Sequence, residues 1–218
     1  AIDETNPFFQ DLGTNGRTCA SCHRPAQAWT ITPEEVRERF RRTGGQDPIF
    51  RTNDGSNCEG ANISTPAQQR QAFSQLLDKG LIRVGLQVPA TAQFEIVDVD
   101  DPYRCGAPFT GDSMYRRPLP STNLKFLSTV MWDGRETVPG QAIASDLATQ
   151  ANDATTGHAQ GTTLSADQRQ AIVDFETGLF TTQVFDWRAG SLTSDGALSG
   201  PRRLSAQPFC IGLNDPLG

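Results

Sequence analysis

Residues 15–27 read NGRTCASCHRPAQ, and this stretch decides how the chain can fold. Cys19 and Cys22 stand three positions apart, and His23 follows the second cysteine directly. This spacing is typical of the attachment site of a c-type haem. Each cysteine sulfur can add to one vinyl group of the porphyrin, and the His23 imidazole can then bind the iron. The stretch therefore predicts one covalently bound haem, around which the rest of the chain packs.

Two other uses of this cysteine pair are alternatives. A structural zinc site needs a second pair of ligands, and the chain offers one other histidine, His158. A thioredoxin-like redox pair follows a β-strand within a βαβ unit. Here the pattern NPFFQDLG, residues 6–13, predicts a short capped helix ahead of Cys19 instead. Both alternatives fit the sequence less well than haem attachment.

The second axial position of the iron separates two kinds of haem protein. An electron-transfer haem has two strong protein ligands, whereas a catalytic haem keeps one side open or weakly held. His158 lies in a predicted polar loop and is the first candidate, as an iron ligand or as a distal acid–base residue. Met114 is another candidate ligand. Met131 stands in an apolar run, and we expect it to pack in the core.

Composition excludes other classes of protein. The 218 residues include 36% hydrophobic and 20% charged residues, with a net charge of −6. This charge argues against nucleic-acid binding, and it suits either ordinary solubility or a small basic protein partner. No apolar run approaches the roughly 20 residues of a membrane span, and residues 1–9 lack the pattern of a signal peptide. One disulfide among Cys58, Cys105 and Cys210 would imply an oxidising compartment.

Capping residues and apolar spacing predict the secondary structure. Alternating residues at 81–88 and 93–100, joined by PATA, predict a β-hairpin. The segment from residue 186 onward lacks periodicity and is expected to be an extended tail. Helices are predicted over residues 6–13, 32–42, 66–80, 140–153 and 165–180.

Two segments together resemble a known family. FFQDLGTNGRTCASCH (residues 8–23) and PSTNLKFLSTVMWDGRE (residues 120–136) are similar to the N-terminal half of bacterial di-haem cytochrome c peroxidases. Their relatives, such as the methylamine dehydrogenase maturation enzyme, share the pattern. The match takes in the Trp-Asp-Gly-Arg run that begins at Trp132, and it covers most of residues 5–182. The resemblance implies a periplasmic haem protein that receives electrons from a small redox protein and reduces hydrogen peroxide.

The chain departs from the family pattern in three ways. It has one haem-attachment motif where the family has two, so we expect a missing second haem domain beyond the tail. His158 stands where the family offers a distal glutamate, which makes a bis-histidine haem the alternative to peroxidase chemistry. Residues 45–118 are an insertion, and a disulfide between Cys58 and Cys105 would pin it. Cys210 would then be free or paired outside the chain.

Further roles follow from the same resemblance. Trp132 could relay electrons to the haem, and Asn123 occupies the place of a residue that binds calcium between the two family domains. Arg residues bind carboxylates well, so several could hold the haem propionates. The sequence does not choose among these candidates, which are Arg24, Arg116, Arg117 and Arg135.

The predicted architecture is mainly α. We expect a cytochrome-c-like helical haem domain over residues 1–185, with the β-hairpin insertion at about residues 45–118. An extended C-terminal tail, residues 186–218, would lead towards the missing domain. Two functions lead: a peroxidase-type enzyme with His158 as acid–base residue, or a periplasmic electron carrier with His23 and His158 both on iron. A gas or redox sensor is a third interpretation.

Overall fold

A computed structural model describes residues 1–105 and 112–206. Helix, short 3-10 turns included, accounts for 35% of the structure and strand for 8%. The prediction of a mainly α, cytochrome-c-like domain is therefore wrong. Residues 44–65 contain no helix, and residues 117–142 contain a single 3-10 turn. The class is irregular and only weakly α.

Three of the helices begin where capping residues predict them. Thr32, Thr65 and Ser165 each accept a hydrogen bond from the backbone N–H three residues later, which satisfies a free donor of the first turn. Ser165 and Gln168 form the predicted capping box. The helices are α1 (Pro33–Thr43), α2 (Pro66–Ala72), α3 (Ser74–Lys79), α4 (Ile143–Gly157), α5 (Ala166–Thr177) and α6 (Pro201–Ala206).

The first two predictions along the chain need adjustment. The helix predicted near the N-terminus is one 3-10 turn, Pro7–Phe9, capped by the Asn6 side chain. The single helix predicted over residues 66–80 divides at Phe73, whose ψ of 18° leaves helical geometry. Phe73 is 1% exposed, and burying its ring accompanies the change of direction between α2 and α3.

The prediction of a hairpin between residues 81–88 and 93–100 is wrong in its second strand. β1 (Ile82–Leu86) pairs antiparallel with β2 (Asp112–Arg116), so that Ile82 lies opposite Arg116 and Val84 opposite Met114. Residues 93–100 form no strand. Their alternating apolar side chains are exposed to solvent, with Phe94 65% exposed. The alternating pattern of residues 93–100 is compatible with a β-strand, but these residues do not form one.

The second sheet is a small hairpin in the predicted tail. β3 (Phe185–Asp186) pairs with β4 (Gly190–Ser191), and Gly190 also bridges to Ile2 at the N-terminus. Ala189, Leu192 and Ala197 are buried against the same core as Ile2, so this part of the tail packs on the body of the protein. Residues 207–218, which include Cys210, lie outside the described structure.

The disulfide between Cys58 and Cys105 is confirmed. The two cysteines are separated by 47 positions in sequence, and the loop that they close contains α2, α3 and β1. Closing such a loop removes conformational freedom from the unfolded chain and so stabilises the fold. The covalent link holds one long irregular segment against another.

Two apolar cores lie on either side of the functional region. The first joins the N-terminal turn to α5 and the tail hairpin, and its rings meet closely, with the Phe8 and Phe175 centroids 5.0 Å apart. The second joins α1 to α3 and takes in Ile49, Phe50 and Ile82. Residues 45–118 thus supply six of the nine buried residues of the second core, although the sequence predicted them as an insertion. A smaller cluster around Val130, Leu147 and Val173 links α4 and α5.

Within the described residues, no helix combines the length and the apolar character that crossing a membrane requires.

Candidate functional site

A cavity of about 540 Å³ lies where the two cores and the smaller cluster meet. Cys19, Cys22, His23 and His158 all line it, together with apolar side chains from α4, α5 and β1. Cofactor pockets commonly have this size and this mainly apolar lining, with a few polar groups placed among it. The cavity therefore brings the motif and the second histidine to one site.

The cysteine segment folds as one tight turn. Cys19–Ser21 form a 3-10 turn, and the N–H groups of Cys22 and His23 both donate to the Cys19 carbonyl, at 3.1 and 2.9 Å. The Ser21 hydroxyl accepts from Thr18 N–H at 2.9 Å. Arg39, 5% exposed on α1, donates to the Ser21 carbonyl at 2.7 Å. The turn is thus fixed by bonds of its own and by a buried cation of a neighbouring helix.

Both thiols at the cavity wall are unbonded. Cys19 and Cys22 form no disulfide. Burial raises the pKa of each thiol above its ordinary value of 9.0. A redox-active cysteine pair needs a thiolate, which a lowered pKa supplies. The setting therefore does not favour the thioredoxin-like alternative.

The His23 ring is held in one tautomer. Its Nδ1 lies 3.0 Å from the Trp29 carbonyl oxygen and 2.9 Å from Ser121 Oγ. A carbonyl oxygen only accepts, so Nδ1 carries the proton and Nε2 keeps its lone pair. Burial lowers the pKa of His23 below 6.5, which favours the neutral ring. A neutral imidazole whose Nδ1–H is bound to a carbonyl is the form in which histidine ligates metals.

His158 is held in the same way by different partners. It caps the C-terminal end of α4, and its Nδ1 lies 2.5 Å from Asp54 Oδ2. Because the carboxylate accepts, Nε2 of His158 is again the free nitrogen. The His158 carbonyl accepts from Asn15 Nδ2 at 2.8 Å, so the backbone is fixed as well as the ring. The His158 side chain is 40% exposed, more open to solvent than the groups that hold it.

Asp54 and Arg17 form the support behind His158. Arg17 is 3% exposed, forms an ion pair with Asp54, and donates to the Pro48 and Ile49 carbonyls at 2.9 and 2.7 Å. Burial by itself would raise the pKa of Asp54. The hydrogen bond from His158 and the charge of Arg17 outweigh burial and hold that pKa below 3.8. Asp54 is therefore a carboxylate at neutral pH and anchors both partners.

These residues fit a c-type haem. Two free thiols three positions apart and two imidazoles with free Nε2 atoms face one apolar cavity of cofactor size. A haem iron takes four nitrogens from the porphyrin and so needs at most two protein ligands. Across residues 1–105 and 112–206, no three His, Cys, Asp or Glu side chains are grouped to hold a bare metal ion. The structural zinc alternative therefore lacks its second pair of ligands.

The other predicted site residues divide between the cavity and elsewhere. Trp132, 60% exposed, and Arg135 both line the cavity. Arg24 does not line it and instead faces Glu35 at 3.6 Å. Arg116 and Arg117 do line it, which makes them better candidates than Arg24 for binding propionates.

Met131 packs in the core as predicted, whereas Met114 lies away from the cavity. Met114 lies in β2, with its sulfur 3.7 Å from the Arg116 guanidinium, and it does not line the cavity. Met131 lines the cavity while also packing on the Val130 cluster. Of the two, only Met131 lines the cavity.

Asn123 holds the chain together at the end of α5. Its Oδ1 accepts from Thr181 N–H at 3.2 Å, its Nδ2 donates to Thr181 Oγ1 at 2.8 Å, and its own N–H donates to the Leu179 carbonyl. These bonds use the amide oxygen that a calcium ion would need. The calcium prediction stays a prediction, and this geometry gives it no support.

Sequence reasoning missed the residues that hold the two imidazoles. Asp54 lies in RTNDGSN, which reads as an ordinary loop, and Ser121 lies in a Pro-rich passage. Arg17 stands inside the opening stretch with no local sign of a partner. Each acts across a large sequence separation, such as 104 residues between Asp54 and His158. Glu176 was visible only as one residue of a helical pattern, although it lines the cavity.

Comparison of the chain with protein-family models, with curated proteins and with solved structures gives no match. The resemblance to di-haem peroxidases therefore stays a prediction based on the two quoted segments.

Proposed function

We propose that the chain is a c-type haem protein that transfers electrons. The haem would occupy the cavity, attached through Cys19 and Cys22, with His23 and His158 as its axial ligands. One observation carries the proposal: both imidazoles line the same cavity with Nδ1 engaged and Nε2 free. Haem bound in this way supplies reversible one-electron oxidation and reduction.

The protein's own residues prepare the site for this role. The Trp29 carbonyl and Asp54 fix the two rings, so little rearrangement is needed on binding. The apolar wall around Leu147, Ala151 and Ile172 keeps water from one side of the cavity. Arg116 and Arg117 place guanidinium groups at the cavity, where haem propionates would need cations.

Trp132 suggests where electrons enter. It lines the cavity and is 60% exposed, and its Nε1 donates to the Arg117 carbonyl at 3.0 Å, which orients the indole. A small redox protein docked over this edge could exchange electrons with the haem. A second haem domain or chain could act as the same kind of partner. The Cys58–Cys105 disulfide supports an oxidising compartment, and we propose the periplasm.

The Asp54–His158 pair also favours a second function, reduction of hydrogen peroxide. A histidine oriented by a carboxylate and partly open to solvent is a common general acid–base. His158 Nε2 would take the proton from the inner peroxide oxygen and give it to the outer one as the O–O bond breaks. Two electrons from the redox partner and two protons from solvent would complete the reduction to two waters. His158 must then be off the iron.

The absorption spectrum of the oxidised holoprotein, before and after hydrogen peroxide, tests both functions. A six-coordinate low-spin spectrum that peroxide leaves unchanged would support the electron carrier. A high-spin spectrum that changes with peroxide would support the peroxidase. Protein matured with a haem-attachment system that shows no Soret band would refute the haem itself.

A further inference from the structure

Glu176 is a buried carboxyl that neither proposed function uses. It lies near the C-terminal end of α5, lines the cavity and is 5% exposed. Its Oε2 has no hydrogen-bond partner in the described part of the chain. Buried carboxyl groups are normally paired with a cation or with several donors. An unpaired one facing a cofactor cavity therefore needs an explanation.

The surroundings of Glu176 offer one hydroxyl and no cation. The cations at the cavity are engaged elsewhere: Arg17 with Asp54, Arg135 with Asp133, and Arg116 and Arg117 with backbone carbonyls. Burial raises the pKa of Glu176 to about 7, and the nearby Ser121 hydroxyl offsets only part of this rise. The other titratable side chains on α5 are Asp167, Arg169 and Asp174, and those on α4 are Asp146 and Asp153. Lys125 lies in the 3-10 turn Leu124–Phe126, and the remaining groups at the cavity are Cys19, Cys22, His23 and His158.

Glu176 and the first axial ligand share a neighbour. The Ser121 hydroxyl lies 2.9 Å from His23 Nδ1 and is also close enough to Glu176 to lower its pKa, so Ser121 is a neighbour of both groups. Charge added at the cavity centre acts strongly on Glu176, because the carboxyl is buried in a mainly apolar wall of low effective dielectric constant. An added electron makes a carboxylate there less stable relative to its protonated form.

We propose that Glu176 carries the proton that accompanies electron transfer at this site. When one electron enters the haem from a redox partner, the Glu176 carboxylate takes up one proton from solvent and forms one O–H bond. When the electron leaves, the carboxyl releases that proton. The inference rests on the proposed haem, and it adds that the site moves one proton with each electron.

Potentiometric titration of the holoprotein between about pH 6 and pH 8 tests the inference. With a chemical one-electron reductant, the midpoint potential should fall as the pH rises. The limiting change is about 59 mV for each tenfold fall in proton concentration. Glu176→Gln should remove this dependence, and Glu176→Asp should keep it. Asp174→Asn is the matched control, because it neutralises an exposed carboxyl on the same helix and should leave the slope unchanged.

Two results would overturn the inference: a potential independent of pH in the wild type, or a slope in Glu176→Gln equal to that of the wild type. If Glu176→Gln does not fold, the infrared difference spectrum of the wild type on reduction decides instead. A protonated-carboxyl band should appear, and its absence would overturn the proposal. These results differ from failure of the proposed function, in which the protein has no Soret band at all.

Discussion

The two imidazoles at the cavity are oriented alike, but their partners lie at very different distances along the sequence. The partners of His23 include the Trp29 carbonyl, six residues away in sequence, and its neighbouring cysteines belong to the same turn. His158 depends on Asp54, 104 residues away, and Asp54 depends in turn on Arg17. The His23 side of the site, called the local side below, is therefore formed mainly by residues close in sequence. The His158 side, called the distant side below, forms only when segments far apart in sequence have folded together.

The largest effect should come from the local side. Replacing Cys19 and Cys22 together by Ala removes both sulfurs that would attach the haem, so all covalent haem should be lost. Haem staining of the denatured protein on a gel measures this.

The control for that experiment is the Cys58→Ser, Cys105→Ser double variant. It should keep its haem while losing about 4 kcal/mol of stability, since it opens a 47-residue loop. Equal staining of both variants would show that the motif does not attach haem.

A substitution on the distant side should change the coordination of the iron but not the covalent attachment of the haem. His158→Ala leaves the cysteine turn intact, so covalent haem should remain, but the iron should lose one ligand and become high-spin. Added imidazole should then restore the low-spin spectrum. Met114→Ala is the control and should change nothing, because Met114 lies outside the cavity. A low-spin spectrum in His158→Ala would point to Met131 as the ligand instead.

The contrast between the two sides also explains what sequence could predict. The cysteine turn and the caps of α1 and α5 were predictable because each depends on residues within one turn. The partner of β1 was not, since residues 93–100 and β2 are both within reach and packing decides between them. The fold class was wrong because ordered segments such as residues 44–65 are held by long-range bonds that leave no periodic pattern.

The support behind His158 should matter for stability. Asp54→Asn leaves the Arg17 charge buried without its carboxylate, which typically costs about 3 to 5 kcal/mol. Urea unfolding at neutral pH measures this. The pKa of Asp54 lies below 3.8, so its contribution is present above about pH 4 and is lost as the pH falls through the folded-state pKa.

Glu38→Gln is the matched control for Asp54→Asn. It breaks an exposed ion pair with Arg41 and should cost less than about 1 kcal/mol. Equal losses in the two variants would mean that Asp54 is no more than a surface carboxylate.

Glu176 should make stability depend on pH in the opposite direction. Its pKa is raised from 4.5 to about 7, so the folded state keeps a proton that the unfolded state releases. Stability should fall as the pH rises from about 4.5 through about 7, by about 3 kcal/mol in total. Glu176→Gln should not show this loss. Parallel curves for the two proteins between pH 5 and 8 would contradict the burial of an unpaired carboxyl.

The smallest effect is expected at Ser121. Ser121→Ala removes one contact of His23 Nδ1 but leaves the Trp29 carbonyl, so the ring should keep its tautomer. The loss should be about 1 kcal/mol in urea unfolding, with the low-spin spectrum preserved. A change to a high-spin spectrum would show that His23 also depends on Ser121, 98 residues away in sequence, and not mainly on its local partners.

Because the chain has two histidines, labelling histidine with ¹⁵N reports on both sides of the site at once. Nitrogen NMR of the reduced, diamagnetic holoprotein tests the central claim most directly. The account predicts that Nε2 of His23 and Nε2 of His158 both shift to values of iron-bound nitrogen, while each Nδ1 keeps its proton. An iron-bound signal from His23 alone would contradict the two-histidine site and leave the peroxidase as the better proposal.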